Sequence, residues 1–195
     1  MAQRPLRIAQ IAAASNRSPW FTEICAELKR RGFDVIAVID SGEGDLAERL
    51  DAIGVKRYAI PLIIAKGLDR ARLPFYLLKL PWAVLKLAWI LRRERIDVAH
   101  SHIFVANLVT RFAHRLTRAR HFASLAGPRH LEAPFTRAID RWTWRLDDVL
   151  VGGCEYAVQL CRDHLGAPDD RLACVYYGSR PEVFDPAIAD RARVR

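Results

Sequence analysis

A chain of 195 residues has room for one sizeable core, and its length favours one domain over two. With 51% hydrophobic and 27% charged residues it is a globular protein and not a disordered one. Its net charge of +9 favours anionic partners (nucleic acid, phospholipid headgroups or phosphate-bearing substrates) without choosing among them.

Met1 to Pro5 runs straight into a strand pattern and carries no apolar core of a signal peptide, which places the chain in the cytoplasm. Leu6 to Ala14 is an apolar run broken by Arg7 and Gln10 and reads as a buried first strand. A polar loop leads to Ser18 as N-cap and Pro19 in the first turn of a helix that Gly32 stops, with Phe21, Ile24, Cys25 and Leu28 on one face. Asp34–Ile39 is a second strand, Asp45–Ile53 a short helix, and Val55–Ile60 a third strand. Ile96–His100 is a fourth strand with a helix at Phe104–Leu116 behind it, and His121–Leu125 a fifth. Phe135–Leu146 reads as helix, Val149–Val151 as strand, Glu155–Leu165 as helix and Leu172–Tyr176 as a last strand. Strands alternating with helices define an α/β fold: a single Rossmann-like domain, its sheet mostly parallel, with helices on both faces.

Between the third and fourth strands, Leu73 to Leu91 has nearly the length of a membrane span. Two lysines and two prolines argue against spanning, since a lysine at the bilayer centre costs roughly 2.5–3.5 kcal/mol. Arg72, Lys79, Lys86 and Arg93 recur every seven residues, and on a continuous helix they form one basic stripe flanked by Trp82 and Trp89. Pro81 would break or kink that helix. Such a face suits the headgroup layer of an anionic membrane. A core helix whose basic side chains snorkel past apolar neighbours fits the same pattern, and the sequence leaves both open.

The four cysteines, Cys25, Cys154, Cys161 and Cys174, show no CxxC pair and no zinc-type spacing. Each lies in an apolar stretch, so buried free thiols in a reducing compartment are expected and no metal site is. No nucleic-acid recognition module accompanies the positive charge, so nucleic acid is not an expected partner.

His100 and His102 flank Ser101 where the fourth strand gives way to helix. In an open parallel sheet ligands sit outside the carboxyl ends of the strands. Strand alternation puts both imidazoles on one side and Ser101 on the other. Two histidines closing a strand are either satisfied core groups or ligand contacts, and the motif alone does not decide. The loop Ala14–Ser18 holds no glycine, so the GxGxxG fingerprint is absent and an NAD(P)-dependent dehydrogenase is disfavoured. Asn16, Arg17 and Ser18 can present donors to a phosphate or a sugar hydroxyl; an ordinary capped surface loop fits equally.

Leu6–Ala14 with its polar loop, Asp97-Val-Ala-His-Ser-His102 followed by Ala106-Asn-Leu108, and Val175-Tyr-Tyr-Gly178 with Phe184 occur in an order that resembles the N-terminal half of a family 4 glycosyltransferase of the GT-B fold. Ile139-Asp-Arg141, Leu146–Val151 and Glu155-Tyr-Ala157 extend the resemblance across the chain from Leu6 to Pro186. It implies two Rossmann-like domains facing across a cleft, the N-terminal one binding the acceptor and the missing C-terminal one a UDP- or GDP-sugar. It also implies retention of anomeric configuration, no metal held by an Asp-x-Asp motif and no tightly bound cofactor. Under it, residues 1–186 are the acceptor-side domain and 187–195 begin a linker to a donor-binding domain or to a separate chain. His102 would meet the transferring sugar at the strand's mouth, with His100 supporting it from within. Asn107, Gly127, Arg129 and His130 would line the acceptor side, and Arg17 and Arg129 would meet an anionic, lipid-linked or glycan acceptor. Two positions depart from the family pattern: Asn16-Arg17-Ser18 replaces the usual glycine pair, and Gly152-Gly-Cys154 stands where a serine is common. The implied function is half of a glycosyltransferase for a cell-surface glycan, inactive alone and docked on the inner leaflet. The alternative is a non-catalytic module that binds membranes or partners through residues 72–93.

Overall fold

The computed structural model describes residues 4–13, 18–62, 73–125, 129–176 and 178. Asn16, Arg17, Arg72, Gly127, the side chain of Arg129 and the expected linker at 187–195 lie outside them. Seven strands, β1 (Arg7–Ala12), β2 (Asp34–Ile39), β3 (Lys56–Ala59), β4 (Val98–His102), β5 (Arg120–Leu125), β6 (Val149–Gly152) and β7 (Leu172–Cys174), form one sheet. Every pairing is parallel, in the order β3-β2-β1-β4-β5-β6-β7. Helices α1 (Pro19–Arg30) and α2 (Asp45–Ala52) cover one face through Phe21, Cys25 and Leu50, packed on Ala12, Ala37 and Ile39. Helices α3 (Leu73–Arg93) and α4 (Phe104–Arg115) cover the other, where Leu87, Leu91 and Val109 meet Ala9, Ile11 and Ala99. The short α5 (Arg129–Glu132), with α6 (Pro134–Thr143) and α7 (Glu155–Leu160), completes that second face over Ala123, Leu125 and Leu150. Burying apolar side chains on both faces is what lets a parallel sheet stand.

Several local expectations are corrected. The fourth strand runs Val98–His102, two residues later than Ile96–His100. Ile96 N–H donates to Leu91 O (2.9 Å) to finish the turn after α3, and Asp97 spends its carboxylate on Arg4 and on the Arg7 N–H. Pro81 does not break α3, which stays one helix of 21 residues, about 30 Å long at 1.5 Å per residue. The helix expected to reach Leu165 widens into a π-turn over Cys161–Leu165, and Gly166 ends it at φ +66. The Phe135–Leu146 helix closes as a 3-10 turn over Trp144–Leu146. Cys25 and Cys161 are buried as expected, but Cys154, the N-cap of α7, is exposed and Cys174, at the end of the edge strand β7, is half-buried. Gly152 is needed for close packing: a Cβ there would sit 2.6 Å from Val158 Cγ2 and 3.0 Å from its backbone N.

One polar cluster lies inside the α4 face. Arg111, on α4, has no solvent exposure; its Nε donates to both Asp147 oxygens (2.8 and 3.0 Å), and its Nη1 donates to Asp140 and to Thr143 Oγ1 (2.9 Å). Asp147 Oδ1 in turn lies 2.9 Å from His121 Nδ1, while His121 Nε2 meets Ser101 Oγ at 2.6 Å. The cluster ties α4, α6 and the entrance to β6 to the centre of the sheet. Removing the cation leaves two buried carboxylates uncompensated, a cost of about 3–5 kcal/mol. Arg111→Met is therefore expected to lower the urea midpoint by a matching amount. Arg111→Met combined with Asp140→Asn and Asp147→Asn recovers part of the loss; a single-variant loss under about 1 kcal/mol would contradict the role given to this cation.

Candidate functional site

Neighbouring strands β1 and β4 lead to helices on opposite faces, α1 on one and α4 on the other. In open α/β sheets ligands bind beyond the carboxyl ends of the strands at such a reversal. Gln10 stands beside His100 and Ala12 beside His102 across the β1–β4 ladder. As strand alternation requires, both imidazoles point to the α1 face, their ring centroids 4.2 Å apart, and Ser101 points to the α4 face.

The α1-face side chains form one row. His102 Nε2–H donates to Gln10 Oε1 (2.8 Å), the Gln10 amide N–H to His100 Nδ1 (3.3 Å), and His100 Nε2–H to Ser124 Oγ (2.8 Å). The glutamine amide fixes these directions, because its oxygen only accepts and its nitrogen only donates. Both histidines are held as neutral Nε2–H tautomers. Burial pushes His100 down to about 4, with the charge of His121 adding to it, and burial with His100 as neighbour pushes His102 well below its ordinary value. His102 Nδ1 is left as an acceptor with no hydrogen-bond partner among the described residues.

His102 is only 1% exposed, with the edges of Trp20 (5.0 Å) and Phe21 (6.0 Å) against its ring. This corrects the expected accessibility: His102 does not stand open at the strand's mouth, and His100, expected within, is the more exposed of the two. The cause is the strand end. With β4 running through residue 102, both histidines lie inside the ladder, and Ile103 is the first residue beyond it. Ile103 takes φ +73, a conformation that costs a β-branched residue on the order of 1–3 kcal/mol. It caps α4 with no side-chain hydrogen bond, and Ser18, the N-cap of α1, makes none either. Two helix N-termini thus begin at this rim with backbone donors that no capping side chain takes up, suited to a phosphate or a sugar hydroxyl.

Asn107 is displaced from the acceptor side expected of it. It is buried on the α4 face, its Oδ1 accepting from Ser101 Oγ (2.7 Å) and its Nδ2 donating to Ser124 O (3.0 Å), so it braces β4 against β5. His130 does reach the rim: its ring lies 5.8 Å from Phe104, and its Nε2 lies 3.3 Å from Asp140 Oδ2. Gln10 and Trp20 were missed as site residues. The signal for Gln10 was its position as a polar break in an otherwise apolar strand. Among the described residues, no group of three histidine, cysteine or acidic side chains converges to hold a metal ion.

The chain matches the glycosyl transferase 4-like domain over residues 19–178, and it belongs to that family. Its architecture is half of a GT-B fold. A glycosyltransferase from Rickettsia africae is 15% identical at a TM-score of 0.69, covering 98% of this chain and 48% of its own. Anabaena Alr3699/HepE, solved in complex with UDP, is 12% identical at a TM-score of 0.68, covering 93% of this chain and 47% of its own. The UDP-N-acetylglucosamine 2-epimerase from Rickettsia bellii is 16% identical at a TM-score of 0.61, covering 95% of this chain and 50% of its own. The chain thus spans about half the length of these structures, and at such identities the likeness carries the fold alone. No curated protein sequence matches it.

Two measurements check this geometry. A histidine whose folded pKa lies near 4 favours folding fully above its unfolded value near 6.5, and that contribution is lost as pH falls toward 4. The urea midpoint should therefore drop between pH 6.5 and 4, and His100→Gln should flatten that slope; an unchanged slope would remove the assignment. Ile103→Gly relieves the positive φ and should raise stability by about 1 kcal/mol, whereas a loss would mean the residue is held there by packing.

Proposed function

We propose that this chain is the acceptor-side half of a retaining glycosyltransferase. The enzyme would transfer a sugar from a UDP- or GDP-linked donor to a lipid-linked or cell-surface glycan acceptor. The observation that carries the reading is the family match over residues 19–178, joined to the β1–β4 crevice at the rim where such a domain would meet its partner. In this reading residues 1–186 form the domain and 187–195 lead toward a donor-binding half, on the same or a second polypeptide. Half a cleft cannot position both reactants, so this chain alone is inactive.

His102 acts as a neutral acceptor: Nδ1 takes a hydrogen bond from a sugar hydroxyl once Trp20 moves off its ring, and Gln10 holds the tautomer that makes this possible. His100 and Gln10 are positioning residues. Ser18 and His130 contact substrate at the rim, and Asn16, Arg17, Gly127 and Arg129 complete its donors. Asn107 serves as a brace and not as a contact.

The exposed side of α3 supports docking on the inner face of an anionic membrane. Trp82 and Trp89 are 52% and 51% exposed, with Lys86 Nζ 4.8 Å from the Trp82 ring centroid and Arg93 Cζ 4.9 Å from that of Trp89. Lys79, seven residues before Lys86, continues the basic line. Among the described residues no helix is long and apolar enough to cross a membrane, so the contact is with the surface.

The test is reconstitution with a donor-binding half from a family relative, assayed with UDP- and GDP-sugars. Transfer is expected only from the pair, with the anomeric configuration retained. In that pair, His102→Ala, checked for folding by circular dichroism, is expected to lower kcat on the order of 10²-fold. An unchanged rate would remove His102 from the chemistry. The competing reading, a non-catalytic docking module, is favoured by the exposed Trp82–Trp89 line and by the burial of His102. It predicts vesicle binding that neither His102→Ala nor a donor half affects, with no transfer under any pairing.

A further inference from the structure

On α6 a second aromatic face is exposed. Trp142 is 85% exposed and Phe135 53%, and with the exposed Ala138 between them they share one side of the helix at spacings of three and four residues. Arg141 and Arg145 stand exposed beside Trp142. Helix α4 packs between α3 and α6 and turns Phe112, Arg115 and Leu116 to solvent in the same layer.

Charge is partitioned between the two sides of the sheet. Helices α3, α4 and α6 contain a single acidic residue, Asp140, and it is buried against Arg111. On the opposite face, α1 and α2 carry Glu23, Glu27, Asp45, Glu48 and Asp51. Lys79, Lys86, Arg92, Arg93, Arg115, Arg137 and Arg141 therefore give α3, α4 and α6 a positive excess, beside the aromatic side chains that layer leaves uncovered, whereas Lys29, Arg30 and Arg49 offset part of the acid on α1 and α2. A protein partner would be matched by pockets or by salt-bridge pairs of both signs. The three helices α3, α4 and α6, with basic groups, interfacial tryptophans and no exposed acid of their own, fit a negatively charged lipid surface, while Glu132 on α5 and Glu155 on α7 stand exposed at the border of that layer.

We propose that α6, through Phe135, Trp142 and Arg141, is a second bilayer contact, so that the α3–α4–α6 layer as a whole lies on anionic headgroups. This rests on the docking reading of α3 and adds a surface to it. Two contacts on one rigid domain would fix its orientation, which a single helix lying in the interface does not. They would hold the carboxyl rim of the sheet, and the crevice with it, at a set height above the headgroups of a lipid-linked acceptor.

The test is co-sedimentation of the chain with vesicles of phosphatidylglycerol and phosphatidylcholine, or of phosphatidylcholine alone, at low and high salt. Three variants are compared, all at exposed positions and checked by thermal melting: Phe135→Ser/Trp142→Ser on α6, Trp82→Ser/Trp89→Ser on α3, and Arg141→Glu. The wild-type chain is expected to bind the anionic vesicles with a salt-dependent affinity, the α6 pair to lose about tenfold and Arg141→Glu about fivefold or more. If the α6 pair binds like the wild-type chain while the α3 pair does not, this inference is overturned and the docking reading stands. Absence of binding by the wild-type chain, or equal binding to neutral vesicles, overturns both. A change in sedimentation mass of the α6 pair with unchanged vesicle binding would assign the surface to self-association and overturn the inference.

Discussion

The constraint on which the rest depends is the crossover between β3 and β4. After two strand–helix units on one face, the chain must return to the middle of the sheet to place β4 beside β1, and α3 carries it across the opposite face. That return makes β1 and β4 neighbours whose following helices, α1 and α4, diverge to opposite faces of the sheet. It also gathers α3, α4, α6 and α7 into one layer and leaves α1 and α2 in the other. Both the divergence of α1 and α4 at the rim and the basic face of α3, α4 and α6 follow from that single reversal.

At the reversal the sheet is polar where a parallel sheet is ordinarily apolar. Gln10, Ser101, His102, His121 and Asn107 are all buried, and each makes at least one hydrogen bond within the same two clusters, His102 keeping only its Nδ1 without a partner among the described residues. Unpaired, such groups would each cost on the order of 1–3 kcal/mol, so the strands are held in one register as well as in one place. A one-residue slip of β1 against β4 would turn Gln10 away from both imidazoles, leaving its amide and the His102 Nε2–H without partners while His100 kept only Ser124. The price of that specificity is that the histidines stay neutral and largely enclosed. An imidazole with a depressed pKa and a free Nδ1 lone pair is suited to accept from a hydroxyl and not to pair as a cation with a phosphate.

The alternation of strands and helices, the glycine stops and the opposed directions of His100 and Ser101 were legible in the sequence because each is set by residues close in the chain. What was not legible depends on partners far away. Asn107 read as a site residue because its helix follows the His-Ser-His segment, yet Ser101 and the Ser124 carbonyl claim both ends of its amide. Arg111 looked like one more basic residue, but it meets carboxylates 29 and 36 positions later. The start of β4 was misread because Ile96, a strand former, instead closes the turn after α3, and no local pattern marks Ile103 for a positive φ. Pro81 read as a helix breaker, yet α3 runs on through it, with Ala83, Leu87 and Leu91 buried beyond it.

The buried Arg111 cluster connects these two levels. Asp140 projects from the inner side of α6 while Trp142, two residues on, projects from the outer side, so the ion pair that seats the helix also sets which aromatic side chains face out. The same carboxylate reaches His130 at the rim through its second oxygen. A rotation of α6 large enough to hide Trp142 would pull Asp140 off Arg111 and leave a buried guanidinium and carboxylate apart, which is among the most costly states a core can hold. Exposure of the α6 face is therefore enforced from inside the domain.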